Sequence, residues 1–312
     1  MNLSRRTATT ALALFTLAPG LARTVHAQQR KLRVGITLHP YYSWVANICE
    51  DKVEIIPMIK AGFEVHNYEP QPDDIKRAAT MDVLVMNGIG HDAFALKVLE
   101  AAEVRDKVKL IYANEGVALI PASGDTGEEK VYNPHTFIAI TAAIQQIFNI
   151  ANDLGKIDPD NAEFYRKNAR TYAVKLRKLK AKYINRLAGV DGKYLRVATI
   201  HGGYDYLMQE FGLDVVAVVE PAHGLMPSAS QLKDTIDKIK ALHVGVVFSQ
   251  MMFPDQFVET IKRETGASIY TLVHITEGDY TKEKFEEGID YDMKTITDAV
   301  LAAQAAGAKV TQ

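Results

Sequence analysis

The chain has 312 residues, 47% of them apolar and 24% charged, with a formal net charge of −2. That length suits two domains of ordinary size, and the near-balanced charge gives no reason to expect nucleic-acid binding, which calls for a clustered basic surface. The one cysteine, Cys49, cannot form an internal disulfide, no Cys-x-x-Cys pattern exists, and the thiol reads as inert and partly buried.

Residues 1–27 read as an export signal. Arg5 and Arg6 give a basic start, an apolar run follows to about Ala18, and Val25-His26-Ala27 forms a small-x-small cleavage pattern. The apolar run is too short to span a bilayer. The twin arginine raises a folded-export route, but the usual bulky apolar pair after it is missing, so the general secretory route is favoured and both stay open. No cysteine stands at the cleavage site for a lipid anchor, and the compartment implied is a bacterial periplasm.

From residue 28 to about 150 the chain alternates strands and helices. The runs 31–37 (KLRVGIT), 81–88 (MDVLVMNG) and 108–114 (VKLIYAN) are near-continuously apolar, as parallel strands covered on both faces should be. DDIKRAA and FALKVLEAA read as helices between them. His66 lies in a short polar loop between two segments that read as strands, and the Asp73-Asp74 pair after it looks like a helix start. From about Asn133 to Leu187 the pattern is almost wholly helical. Phe164, Ala169, Tyr172, Leu176, Leu179 and Tyr183 recur at helical spacing, with Pro159 just ahead of the run. The segment 151–190 is therefore expected to be a long connecting helix, with the charged run KLRKLKAK as its solvated face. Over 191–312 the alternation resumes, with strands at 195–200, 213–219, 244–250 and 268–273. YDYLMQEFG, SASQLKDTIDKIKAL and DQFVETIKRETG read as the helices there. The fold class expected is α/β: two Rossmann-like lobes with parallel sheets, joined by one long helix.

The nine histidines are not scattered. His39, His91, His201 and His274 each follow a strand, His66 precedes a helix, and His135 opens the central helical stretch. Ligand sites in open parallel sheets form beyond the carboxyl ends of the strands, so two lobes facing each other would bring these rings together. His243 reads as a helix-to-strand boundary residue and His223 as a loop residue. Three neutral imidazoles and one further oxygen or nitrogen donor make a tetrahedral set suited to zinc. The stability order of the first-row ions also favours zinc over manganese or iron(II) at such a site.

With these segments in place, the chain resembles the periplasmic substrate-binding proteins (cluster A-I) of zinc and manganese ABC importers. HNYEPQPDDI (66–75) is similar to that family's first ligand segment, and MNGIGHDAF (86–94) to its Asn-Gly turn at a strand end. NPHTF (133–137) is similar to its Asp-Pro-His-Val-Trp segment, with Asn133 in place of the Asp, and HGGYDYLMQEFGL (201–213) to its third ligand segment. The resemblance covers essentially the whole mature chain and implies that His66, His135 and His201 carry the metal. Zinc-type members tend to have His at the third position and manganese-type members Glu, so His201 points to Zn2+. The family's fourth ligand is an Asp after the last strand. Here that loop offers His274, Glu277 and Asp279, and His274 is preferred because it comes first. The short 121–130 segment has no histidine, unlike the long His-rich loop of many zinc-type members.

The function implied is capture of Zn2+ between the lobes and delivery to an ABC permease at the inner membrane. A monomer is expected, with a periplasmic metallochaperone as a candidate loader. Affinity should fall below about pH 6.5 as the imidazoles protonate. Glu69, Asp92 and Glu220 are candidates to orient the rings, and the long helix should keep lobe movement modest. The alternatives are Mn2+ or Fe2+ capture of the same kind, and a zinc hydrolase. The chain has neither the His-Glu-x-x-His nor the Gly-x-Ser-x-Gly pattern, so no enzymatic activity is expected.

Overall fold

Short runs of β-branched and aliphatic residues build two parallel sheets, each closed on one face by its own helices and on the other by helices that both lobes share. The computed structural model describes residues 30–62, 68–122, 131–190, 195–220, 226–251 and 253–307. The expected export signal, His66, His223 and residues 123–130 lie outside them.

The amino-terminal lobe runs β1 (Leu32–Ile36), α1 (His39–Cys49), β2 (Val53–Pro57), α2 (Pro72–Ala78), β3 (Val83–Met86), α3 (Phe94–Ala101) and β4 (Lys109–Tyr112). Then come α4 (Ile140–Ile157) and the 25-residue α5 (Ala162–Arg186). The carboxyl-terminal part runs β5 (Arg196–Thr199), α6 (Asp205–Glu210), β6 (Asp214–Val218), α7 (Ala229–Ala241), β7 (Val246–Gln250), α8 (Asp255–Thr265), β8 (Ser268–Leu272) and α9 (Lys284–Ala305). The strand orders β2-β1-β3-β4 and β6-β5-β7-β8 repeat one topology, and every pairing is parallel. All seven runs read as strands from sequence are strands; β2, from the segment ahead of the His66 loop, is the eighth. The Asp73-Asp74 pair does open a helix. Pro72 takes the first turn, and Asp74 accepts from the backbone N–H of Gln71 at 2.7 Å.

Two helices fall outside the strand–helix alternation read from the sequence, α1 and α9, and both matter to the architecture. Phe285, Ile289, Met293, Ile296 and Val300 form a buried stripe on α9 at helical spacing. That stripe carries α9 back across the molecule onto α1 and α5. The main core is therefore continuous from Val34, Val85 and Trp44, through Tyr165, Leu176 and Tyr183 of α5, to Phe248, Leu272 and Ile289. Smaller separate cores lie under α2 and α3 (Met58, Leu84, Leu99) and under α7 and α8 (Ile200, Val247, Ile261). The basic run on α5 is not only a solvated face. Lys175 pairs with Glu286, Lys182 with Asp290 and Arg186 with Asp298, all on α9.

Polar contacts tie the two lobes at their facing ends. Glu210 of α6 caps α4, accepting from Ile140 N–H at 3.2 Å and Thr141 N–H at 2.6 Å, with Lys180 of α5 at 3.1 Å. The loop after β8 clasps α1. His39 Nε2–H donates to the Gly278 carbonyl at 2.9 Å, and its ring stacks on Tyr280 with centroids 4.0 Å apart. Ser43 Oγ donates to Thr281 O at 2.8 Å and Asn47 Nδ2 to Lys282 O at 3.0 Å; Tyr280 Oη donates to Ile59 O at 2.9 Å.

Burial lowers the His39 imidazole to about 4, with Lys284 adding to that and the Gly278 bond and Asp279 opposing it. As pH falls below about 6.5, the unfolded chain takes up a proton that folded His39 refuses until near pH 4, so stability declines over that window. His39→Phe keeps a ring on Tyr280 but removes the titration. Urea unfolding of the two proteins at pH 7 and pH 4.5 should show the difference closing in favour of the variant on acidification, by up to about 3 kcal/mol. Parallel pH dependence would show that His39 is not buried neutral.

Candidate metal centre

Three buried histidines converge where the carboxyl ends of the two sheets face each other. One nitrogen each from His135, His201 and His274 lies within 4.8 Å of the other two, and the rings are 2–3% exposed. Each ring is held from behind by a different kind of group.

His135 precedes a short turn (Thr136–Ile138) at the entry to α4. Its Nδ1–H donates to Asn133 Oδ1 at 2.7 Å, and its backbone N–H donates to the same oxygen at 3.1 Å. Asn133 Nδ2 reaches across to the Gly202 carbonyl at 2.7 Å, and Tyr206 Oη donates to the Asn133 carbonyl at 2.8 Å. The asparagine thus orients one ring and ties it to the backbone beside the next; an Asp there would have no N–H for Gly202. On the other side, Asn87 Nδ2 donates to the Pro134 carbonyl at 3.0 Å, and Thr136 Oγ1 donates to Asn114 Oδ1 at 2.7 Å.

His201 follows β5 in the same way that His39 follows β1. Its Nδ1 lies 2.6 Å from Glu220 Oε2, at the end of the neighbouring β6, with side chains 4% and 8% exposed. An Asn oxygen and a carboxylate both accept, so Nδ1 carries the proton in both rings and each Nε2 presents a lone pair. The two Nε2 atoms stand 3.0 Å apart. Two nitrogens at about 2.0–2.1 Å from one tetrahedral ion would be about 3.3 Å apart, so a shared cation fits this spacing. Gly203 provides the room. A Cβ there would stand 2.7 Å from His201 Cδ2 and Nε2 and 2.8 Å from His135 Cδ2.

His274 follows β8, with Nδ1 2.7 Å from Thr276 Oγ1. Asp292 of α9 accepts the Val273 N–H at 2.8 Å, and burial holds its carboxyl well above the usual range. Ile275 has φ +65° and is 3% exposed. That conformation is an outlier for a β-branched residue, costs about 1–3 kcal/mol, and tends to mark functional sites.

A fourth ring, His91, packs edge-on against His135 with centroids 4.4 Å apart and lies 6.1 Å from His274. Burial lowers its imidazole to about 3, and the nearness of His201 acts in the same direction. The sequence signal for it is its position after β3 in Asn-Gly-Ile-Gly, the same strand-end logic that selects His201 and His274.

The structure therefore brings His135, His201 and His274 together, and His66 lies outside the described residues. Glu277 and Asp279 do not belong to the converging set. Glu277 instead lines a cavity of about 200 Å³ with Lys284, Glu287 and Tyr291, and burial raises its carboxyl. Of the three residues proposed to orient rings, Glu220 holds one, that of His201. Asp92 braces the 87–92 loop, accepting from Thr37 Oγ1 at 2.7 Å and from Gly88 N–H at 3.2 Å. The backbone carbonyl of Glu69 accepts from Gln71 Nε2.

Comparison with known proteins follows the same outline. The family described as "ZnuA: Zinc-uptake complex component A periplasmic" matches residues 34–299. The substrate-binding protein FpvC of Pseudomonas aeruginosa, solved in complex with Mn2+, is 51% identical, with a TM-score of 0.83 over 88% of this chain and 100% of that one. It has also been solved with Ni2+. The manganese ABC transporter substrate-binding lipoprotein PsaA of Streptococcus pneumoniae is 27% identical over 90% of each chain. The high-affinity zinc uptake protein ZnuA of Bacillus subtilis is 27% identical over 84% of this chain and 83% of that one.

Gly203→Ala tests the crowding directly, because the nearest atoms that a methyl group would meet belong to the two imidazoles. Calorimetric metal titration should show affinity reduced about tenfold or more, the scale on which disturbing the support of a metal ligand acts, while the metal-free protein stays folded. Unchanged affinity would mean that His135 and His201 do not bind together.

Proposed function

Since the chain belongs to the ZnuA family and is a metal-binding substrate-binding protein of an ABC importer, we propose that it captures Zn2+ at His135, His201 and His274 and hands it to an ABC permease. The observation that carries this reading is the 3.0 Å approach of two Nε2 atoms whose Nδ1 positions are already engaged. His66 is retained as a further ligand on the strength of its sequence motif. The remaining parts of the reading are a periplasmic, monomeric protein without enzymatic activity, loaded freely or by a metallochaperone. Family members are periplasmic or lipoprotein components, and among the described residues no helix is long and apolar enough to cross a membrane.

The choice of Zn2+ rests on ligand chemistry. The described donor set is imidazole only, which suits zinc and gives manganese none of the carboxylate oxygens it favours. A second reading has a specific basis. The FpvC relative was solved with Mn2+ and with Ni2+, so broader uptake of divalent transition metals would keep the same ligands with a wider cargo. The continuous core under both lobes and the α1 clasp support small lobe movement on binding.

Chelator-treated mature protein should bind one equivalent of Zn2+ tightly in a competition titration, and Mn2+ more weakly. His135→Ala and His201→Ala should each abolish tight binding, and His66→Ala should weaken it. Equal or stronger Mn2+ binding would move the cargo to the second reading. Retained tight binding in both His135→Ala and His201→Ala would remove the proposed site.

A further inference from the structure

Resting on the capture reading, we propose that His91 is an additional metal ligand that joins the site when the bound cation takes more than four donors, as Ni2+ does, and stays outside a tetrahedral zinc. It would be a residue that sets which metals the site accepts.

His91 lies on the rim of the three-histidine cluster, its centroid 4.4 Å from that of His135, and its nitrogens are shielded from solvent. It is not among the three residues whose ligand atoms already converge. To join the site, its side chain would have to turn a nitrogen inward. Zinc is satisfied by three rings and one further donor, whereas nickel and manganese favour tetragonal or octahedral surroundings. An imidazole at the rim can serve the second group without being needed by the first.

The loop that carries His91 is built at a cost. His91 has φ +43°, a left-handed conformation uncommon outside glycine. Gly90, at φ +138°, lies so close to the turn before His135 that a Cβ there would stand 2.9 Å from Pro134 Cβ. Asp92, fully buried, gathers Thr37 Oγ1 and the N–H groups of Asn87 and Gly88 on its carboxylate. A buried carboxylate and a left-handed histidine are a costly way to make a plain turn. What this loop achieves is delivery of one imidazole against the cluster.

The competing account is aromatic packing, since His91 also lies 5.5 Å from Phe137. His91→Phe separates the two, because it keeps a ring and removes the donor. In calorimetric titrations, Ni2+ affinity should fall about tenfold or more in His91→Phe, while Zn2+ affinity stays within about threefold of the unaltered protein. X-ray absorption on the unaltered protein needs no variant to fold, and should count one more imidazole around Ni2+ than around Zn2+. Equal imidazole counts, or Ni2+ and Zn2+ affinities that are both unchanged or fall together, would overturn the role of His91. Those results leave the three-histidine site standing. An unaltered protein that binds neither metal would instead bring down the capture reading together with this one.

Discussion

Two imidazole nitrogens facing each other at 3.0 Å, each with its second nitrogen already engaged, are the constraint on which the rest of the structure depends. Two lone pairs so placed repel unless a cation or a proton comes between them. Asn133 and Glu220 fix both tautomers, so the arrangement is prepared for a cation. Gly203 keeps the space clear, and Asn133 also spans from the first ring to the Gly202 backbone beside the second. One amide thus couples ring orientation to the contact between the lobes.

That preparation requires a frame that does not drift. The main core runs unbroken through both lobes along α4, α5 and α9, and the two sheets cannot part without exposing it. The loop after β8 holds the third ring, and its continuation clasps α1 through His39, Ser43 and Asn47. The strain at Ile275 is maintained by this surrounding packing. Solvated ion pairs between α5 and α9 add little individually; the apolar stripe on α9 contributes more.

Much of this was legible in the sequence because buried parallel strands are apolar on both faces and end where ligands bind. That rule points to His201, His274 and His91, and equally to His39, which instead packs on Tyr280 in the α1 clasp; the alternation of strands and helices gives the two-lobe α/β fold. The edge strand β2 is harder to see, since Val53–Pro57 mixes an exposed Glu54 with apolar residues. Helices α1 and α9 fall outside the alternation, and only three-dimensional contact reveals that α9 returns across the molecule. His274 was preferred over Glu277 and Asp279 only for coming first after the strand, since all three lie in one loop. In the folded chain His274 joins the converging set, and the left-handed Ile275 and the Val273–Asp292 bond shape the loop that carries it. The role of Asn133 was hidden for a related reason: it reads as a departure from a family pattern, and its bond to Gly202 exists only in the folded chain.

An imidazole-rich site made of strand-end histidines favours zinc chemically, while relatives of this chain have been solved with manganese and nickel. Whichever cargo dominates, the site stands or falls on one ion shared between His135 and His201. Anomalous diffraction at the zinc edge, on crystals of the protein carrying one equivalent of Zn2+, tests it most directly. One strong peak is expected, bonded at about 2.0–2.1 Å to Nε2 of both His135 and His201, with the His274 ring as a further ligand. A peak elsewhere on the molecule, with those two nitrogens unbound, would contradict it.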